Sequence, residues 1–364
     1  MGFEEYFGNK NTVELLRGML ARNRLPHTVL FSGPSGVGKY TLAQMLAKSQ
    51  HCLEQENDFC GECRNCRLIG MADDRWAAVE RAEQEREKLT KRPREIPLLI
   101  QHSPDVLLLP PNGPLRLFQI EQARHLKQAL AFQPAAGRKK IFILPEIERM
   151  DAAAANSLLK SLEEPPPHSL LLLTTASEAA LLPTIRSRCV SFWLSPLPER
   201  LVAAFLERKG VGRDAAERRL RAALGKGCPG RALRLDLEHY RQIRDSLLTI
   251  LQAGLEGKNF AALFAETRKL ANEKEGLENL LDVLYSLLQD ILHIEAKANG
   301  ESYRNADRPK LLWQVAHSLG VEGVKRVGAL LNSMERNLRR NVPTQISLEA
   351  FAAGLAPLHR MSEE

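Results

Sequence analysis

The chain has 364 residues, a formal charge of +7 and a pI near 9.1. That length predicts two or three domains, and a hydrophobic share of 44% is enough to give each a core. A 5% aromatic share argues against a single-strand binder built on base stacking, and no apolar run approaches the ~20 residues of a membrane span. Met1-Gly2-Phe3-Glu4-Glu5 carries acids and no apolar stretch, so a secretory signal is not expected and the cytoplasm is. The mild basicity suits nucleic acid nearby and, equally, plain solubility.

Asn11 to Arg24 has helical periodicity through Val13, Leu16 and Leu20, and Pro26 stops it. The apolar run Thr28-Val29-Leu30-Phe31 then leads into Gly33-Pro34-Ser35-Gly36-Val37-Gly38-Lys39-Tyr40-Thr41, followed by a helical pattern over about 41–50. Strand, glycine-rich loop and helix are the context in which G-x-x-x-x-G-K-[ST] cradles phosphates. Gly33, Gly36 and Gly38 let backbone N–H groups approach phosphate oxygens, and Lys39 reaches the outer ones. The hydroxyl that holds magnesium should follow the lysine directly, but Tyr40 stands there with its phenol on a long rigid arm. Thr41 comes next, turned about 100° around the helix. From these residues alone three states stay open: ATP or ADP held without turnover, an empty loop, and hydrolysis.

Of the six cysteines, four follow closely as Cys52, Cys60, Cys63 and Cys66. In a reducing compartment a tight cluster reads as metal ligands rather than disulfides. A C-x2-C-x2-C run with a fourth cysteine close by can close a tetrahedral thiolate site, so structural Zn²⁺ is expected. Free thiols and an iron–sulfur cluster are the alternatives, although position 70, where a cluster would want a further cysteine, is Gly70. Residues 73–96 are dense in mixed charge and read as a solvated insertion, ended by Pro93 and Pro97.

Further strands are expected at 105–109, 141–144, 170–173 and 190–193, with helices over 120–132 and from Asp151 to about Leu162. Such alternation after a phosphate-loop pattern predicts an α/β parallel sheet with helices on both faces. After Pro196 the strands stop. Short helices are read over 201–207, 214–224 and 231–235, then longer ones over 241–256, 259–272, 276–298, 309–319, 321–339 and 347–357. Leu280, Leu281, Leu284, Leu287, Leu288 and Ile291 form a bundle-core stripe. His27, beside the loop strand, reads as structural. Arg138-Lys139-Lys140, Arg218-Arg219-Arg221 and Arg336-Arg339-Arg340 are basic, and each is also readable as a solvated face.

Several motifs together are more specific: the loop, the cysteine cluster, Asn156-Ser157-Leu158-Leu159-Lys160-Ser161-Leu162-Glu163-Glu164-Pro165-Pro166, Thr174-Thr175 and Arg186-Ser187-Arg188-Cys189. Over nearly its whole length the chain resembles the AAA+ clamp-loader subunits of bacterial DNA polymerase III, the family of gamma/tau and its paralogue delta-prime. The resemblance implies a AAA+ P-loop module over 1–195 with a zinc knob at 52–66. A small helical lid over 196–245 and an all-α collar over 246–364, which joins subunits, would follow. It implies gamma/tau and delta subunits, the sliding clamp and primed duplex DNA as partners, the DNA through salt-dependent phosphate contacts.

In family members that hydrolyse ATP a D-E pair closes the third strand. Here Pro145-Glu146 stands in its place: the metal-binding aspartate is missing and Glu146 matches the water-activating position. Gly230, in Gly227-Cys228-Pro229-Gly230-Arg231, matches the lid's phosphate-sensing arginine, and Thr174 and Thr175 match the polar sensor. This pattern of losses is similar to the delta-prime branch and implies no hydrolysis in cis, with Arg188 acting in trans as an arginine finger. The alternative is an ATP-hydrolysing subunit like gamma/tau. Arg188 is also readable as pairing with an acid within its own module, and Glu163 and Glu164 read as surface or interface acids.

Overall fold

The computed structural model describes residues 2–89, 96–113, 116–135, 138–256, 260–271, 277–296, 303–305, 307–339 and 342–355. Pro93, Arg340 and the side chain of Arg339 lie outside this set. Two compact units form: Met1–Val211 with Gly225–Leu233, and Gly212–Leu224 with Arg234–Glu364. The range 196–245, read as one lid, is shared between them.

The first unit begins with α1 (Lys10–Ala21), β1 (Thr28–Ser32) and α2 (Lys39–His51), followed by α3 (Arg64–Gly70) and α4 (Arg75–Leu89). Then come β2 (Ile100–Ser103), β3 (Val106–Leu108), α5 (Ile120–Leu130), β4 (Lys140–Leu144), α6 (Ala152–Glu163), β5 (Ser169–Thr175), α7 (Pro183–Arg186), β6 (Val190–Trp193) and α8 (Glu199–Arg208). The sheet order is β2-β3-β4-β5-β1-β6, parallel throughout except for β2, which pairs antiparallel with β3 at the edge. The central strands are apolar runs because both faces are covered. Side chains alternate between two cores: Ile141, Ile143, Leu170 and Leu172 pack on one face with α1 and α2. Phe142, Leu144, Leu171 and Leu173 pack on the other with α5 and α6.

The four expected strands after the loop are all present. Three elements were not expected: the polar edge strand β2, the short α3 inside the cysteine segment and the four-residue α7 before β6. The charged insertion is a helix, α4, and not merely solvated: Ala78 is buried and Arg75 and Trp76 are half-buried.

The second unit contains α9 (Ala215–Leu224), and α10 (Pro229–Arg234) runs up to it. Its main body is α11 (Leu237–Glu256), α12 (Phe260–Ala271), α13 (Leu277–Glu295), α14 (Pro309–Arg339) and α15 (Thr344–Ala353). Gly320, at φ 56° and ψ −178°, interrupts α14, as the separate patterns over 309–319 and 321–339 predict. Leu247, Leu251, Leu284, Leu287, Ile291, Leu312 and Leu331 fill the core. A polar tie runs beside it. Arg244, only 1% exposed, donates to Asp307 Oδ1 at 2.6 Å and Asp245 Oδ1 at 3.0 Å. Tyr240 Oη donates to Asn305 Oδ1 at 2.9 Å, and Asn305 N donates to Asp290 Oδ2 at 2.8 Å. These contacts pin Asn305 and Asp307 to α11 and α13.

Leu287 is fully buried in this core. Leu287→Ala should cost about 2–5 kcal/mol, read as an earlier urea midpoint for the helical unit; a change under about 0.5 kcal/mol would show that its packing is not as described.

Candidate functional site

The glycine-rich loop joins β1 to α2. Lys39 sits at the first position of α2, 9% exposed, and its Nζ donates to the Gly33 carbonyl at 2.5 Å and the Pro34 carbonyl at 2.8 Å. The amine that would reach phosphate is folded back on its own loop. Burial holds its pKa down to about 8, with Glu148, Cys228 and Glu146 opposing and Arg75 assisting. Tyr6 packs against Gly38, where an added Cβ would come within 2.7 Å of its hydroxyl.

At the loop's apex, Gly230 N donates to the Gly36 carbonyl at 2.8 Å. Gly36 has φ +83°, and a Cβ on it would lie 2.7 Å from Arg231 N; one on Gly230 would lie 3.0 Å from Gly36 O. Gly36 is therefore required by backbone approach and its positive φ, while a Cβ at Gly230 would fit only if the loop gave way by a few tenths of an ångström. The position matched to a sensor arginine carries no side chain, and its backbone rests on the loop. Thr41 is exposed.

Tyr40 is not turned toward a metal seat. Its hydroxyl donates to the Ala72 carbonyl at 2.6 Å and accepts from Gln44 Nε2 at 2.6 Å, tying α2 to the junction of α3 and α4. Glu146 follows β4 in a left-handed conformation, φ 55°. Its carboxylate meets Arg75 Nη2 at 2.6 Å, Arg149 Nε at 2.7 Å and Arg116 Nη2 at 3.0 Å. Burial pushes its pKa up, but Arg75, Arg116 and Arg149 outweigh that and hold it below the usual carboxylate range. A carboxylate so engaged is a poor acceptor for a water proton. Arg75 and Arg116 also lie 4.4 and 4.3 Å from the Trp76 ring. Thr174 Oγ1 accepts from Glu146 N at 3.2 Å, so this residue of the sensor pair serves the same turn. Sequence reading missed Arg75, Trp76, Arg116 and Arg149; in a mixed-charge segment nothing in their spacing marks them. His27 Nδ1 contacts the Ser169 carbonyl at 3.1 Å, a structural role as read.

The four cysteine sulfurs all lie within 4.8 Å of one another. Backbone N–H groups point at them: Gln55 and Cys60 at the Cys52 sulfur (both 3.3 Å), Cys63 at the Cys60 sulfur (3.2 Å). Four soft thiolates with this support fit a tetrahedral Zn²⁺. Cys52, Cys60, Cys63 and Cys66 would hold it, leaving no open position for water.

Arg188 lies just beyond α7. Its Nε donates to Glu163 Oε1 at 2.8 Å and Nη1 to the Thr184 carbonyl at 2.7 Å. The pair is at the surface, with 29% and 46% of the two side chains exposed. Of the expected site residues, the loop set (Gly33, Gly36, Gly38 and Lys39) and the cysteine set each come together, and Arg188 stands apart just beyond α7, bonded to Glu163 of α6.

Residues 8–198, more than half of the chain, match the family model described as DNA polymerase III, delta subunit. The chain belongs to this family, as a clamp-loader subunit of the delta-prime type. It is 28% identical over 285 residues to the Bacillus subtilis DNA polymerase III subunit delta-prime, covering 78% of this chain and 77% of that one. It is likewise 28% identical over 301 residues to the Haemophilus influenzae subunit tau/gamma, covering 82% of this chain but 36% of that protein. A solved gamma subunit-related protein from Thermotoga maritima aligns at a TM-score of 0.44 and 17% identity, over 95% of this chain and 99% of that one. No helix among the described residues is long and apolar enough to cross a membrane.

Two outcomes are expected of this clamp-loader subunit. Elemental analysis should find one zinc per chain, lost in Cys63→Ser; a zinc-free wild-type protein would remove the metal reading. The Lys39 pKa of about 8 lies below its usual 10.5, so the buried ammonium costs stability in full below pH 8. That cost fades as pH rises from 8 to 10.5. Relative to Lys39→Met, the wild type should gain stability across that window, and parallel pH profiles in chemical denaturation would refute it.

Proposed function

We propose that this clamp-loader subunit does not hydrolyse ATP and acts as a scaffold in loading a sliding clamp onto primed DNA. Gamma/tau and delta subunits are the proposed neighbours, and duplex DNA is held through its phosphates. Residues 1–195 form the proposed AAA+ module with the zinc knob at 52–66, 196–245 a lid and 246–364 a collar for subunit assembly. The observation that carries the non-hydrolysing reading is the engagement of Glu146 by three guanidinium groups. The use of the Tyr40 hydroxyl and the Lys39 amine within the fold supports it. Phosphoryl transfer needs a metal seat and a free water-orienting group, and both matched positions are occupied by protein contacts.

Arg188 is the proposed arginine finger, acting on nucleotide in a neighbouring ATPase subunit. Its bond to Glu163 is a partly exposed ion pair, a class worth about 0–1 kcal/mol, so release toward a phosphate costs little.

Purified protein should show negligible ATP turnover with or without primed DNA. Arg188→Ala should leave the reconstituted complex assembled but lower its ATPase. The loss at the served site should approach the ~10³–10⁵ known for arginine fingers. Turnover by the isolated chain that Lys39→Ala abolishes would instead support a gamma/tau-like ATPase. Unchanged complex ATPase in Arg188→Ala would remove the finger.

A further inference from the structure

Three guanidinium groups converge on one carboxylate at the end of β4, each from a different part of the first unit. Arg75 opens α4, Arg116 lies in the turn before α5, and Arg149 follows β4. One negative charge cannot balance three positive ones. Arg116 and Glu146 both have left-handed backbone, at φ 48° and 55°, which a non-glycine residue keeps only where its surroundings hold it there. Arg116 Nη2 reaches both carboxylate oxygens, at 3.1 and 3.0 Å, while Arg75 takes one and Arg149 the other. Planar guanidinium groups surrounding an oxyanion are the arrangement used to bind carboxylate and phosphate. Beside the cluster opens a cleft of about 370 Å³, lined by Arg75, Trp76, Val79, Pro110, Pro111 and Arg116. Glu80 and Glu83 also line it and weaken its pull on anions, so binding there is expected to be weak while Glu146 is charged.

We propose that Arg75, Arg116 and Arg149 form an anion site that the chain fills itself, with the Glu146 carboxylate competing against a small phosphoryl anion. Glu146 is then an internal ligand. Its three arginines come from outside the glycine-rich loop, although Arg75 lies 5.8 Å from the Tyr40 ring and both Arg75 and Glu146 act on the charge of Lys39, so the test must tell the two seats apart. The inference shares with the proposed function the view that Glu146 is engaged and not a base. ATP turnover by the purified chain would sink that view, whereas an anion titration without ATP tests this site by itself.

The probe is inorganic pyrophosphate, titrated calorimetrically into the full chain at low ionic strength. Wild-type protein should bind it weakly, and Glu146→Gln, which keeps the side-chain shape without the charge, should bind at least tenfold more tightly. Arg116→Ala, made in both backgrounds, should reverse the gain. Equal affinity in wild type and a folded Glu146→Gln overturns the proposal. So does binding that Lys39→Ala abolishes and Arg116→Ala spares, because that anion sits in the glycine-rich loop. If Glu146→Gln does not fold, the wild type decides at millimolar pyrophosphate: binding weakened severalfold by Arg116→Ala supports the site, and binding insensitive to it, or none, overturns it.

Discussion

The grip of Arg75 on Glu146 joins elements that the chain supplies far apart. Glu146 ends the strand at the centre of the sheet, and Arg75 begins the helix that follows the cysteine knob. Tyr40 adds a second tie, carrying α2 to the backbone at Ala72, three residues before Arg75. The helix of the glycine-rich loop, the knob and the strand end are thereby fixed to one another. With 13% and 19% side-chain exposure, the Arg75–Glu146 pair is largely removed from water. Removing one member of such a pair strands the other charge and costs more than the pair contributes as a unit. The network is thus hard to lose one residue at a time, and while it persists the Glu146 carboxylate is engaged by three guanidinium groups.

The same economy governs the loop. Glycines in a phosphate-loop pattern are usually read as making room for phosphate. Here Gly36 is required by the approach of the Arg231 backbone, Gly230 N donates to the Gly36 carbonyl, and Lys39 places two donors on Gly33 and Pro34. A loop built this way meets its own steric and hydrogen-bonding needs. The motif can then be retained because the fold needs it, and its presence says little about nucleotide. Tyr40 belongs to the same logic: a Ser or Thr there would be too short to reach Ala72, so the residue that departs from the motif makes a contact the motif residue could not.

Most of the sheet was legible because its central strands are continuous apolar runs flanked by turn residues, and the break at Gly320 was legible because two aliphatic registers meet there. β2 was not: Ile100-Gln101-His102-Ser103 is an edge strand with one polar face, and short mixed segments carry no clear period. The cysteine set was legible from spacing alone, because ligands close in sequence need no long-range fold to meet. The arginine cluster was not legible, because Arg75, Arg116 and Arg149 come from three separate segments and become neighbours only when α4 and the turn before α5 fold onto the end of β4. Glu146 was placed correctly as a position, but its state depends on these three partners, which no local pattern announces.

The contact between Arg188 and Glu163 does not count against a role in trans. A partly exposed ion pair is worth about 0–1 kcal/mol. A finger worth ~10³–10⁵ in rate corresponds to about 4–7 kcal/mol of transition-state stabilisation. A developing phosphoryl charge in a neighbour's site would therefore outcompete Glu163 by several kcal/mol, and until then Glu163 and the Thr184 carbonyl hold the guanidinium at little cost. Arg75 is the contrast within the same chain. It is buried against its acid and stacked on Trp76, and its charge is committed to the fold even though it shares that acid with two further arginines. The two arginine–glutamate pairs thus differ in burial: the Arg188 pair can be exchanged at little cost, as the proposed finger requires, and the Arg75 pair cannot.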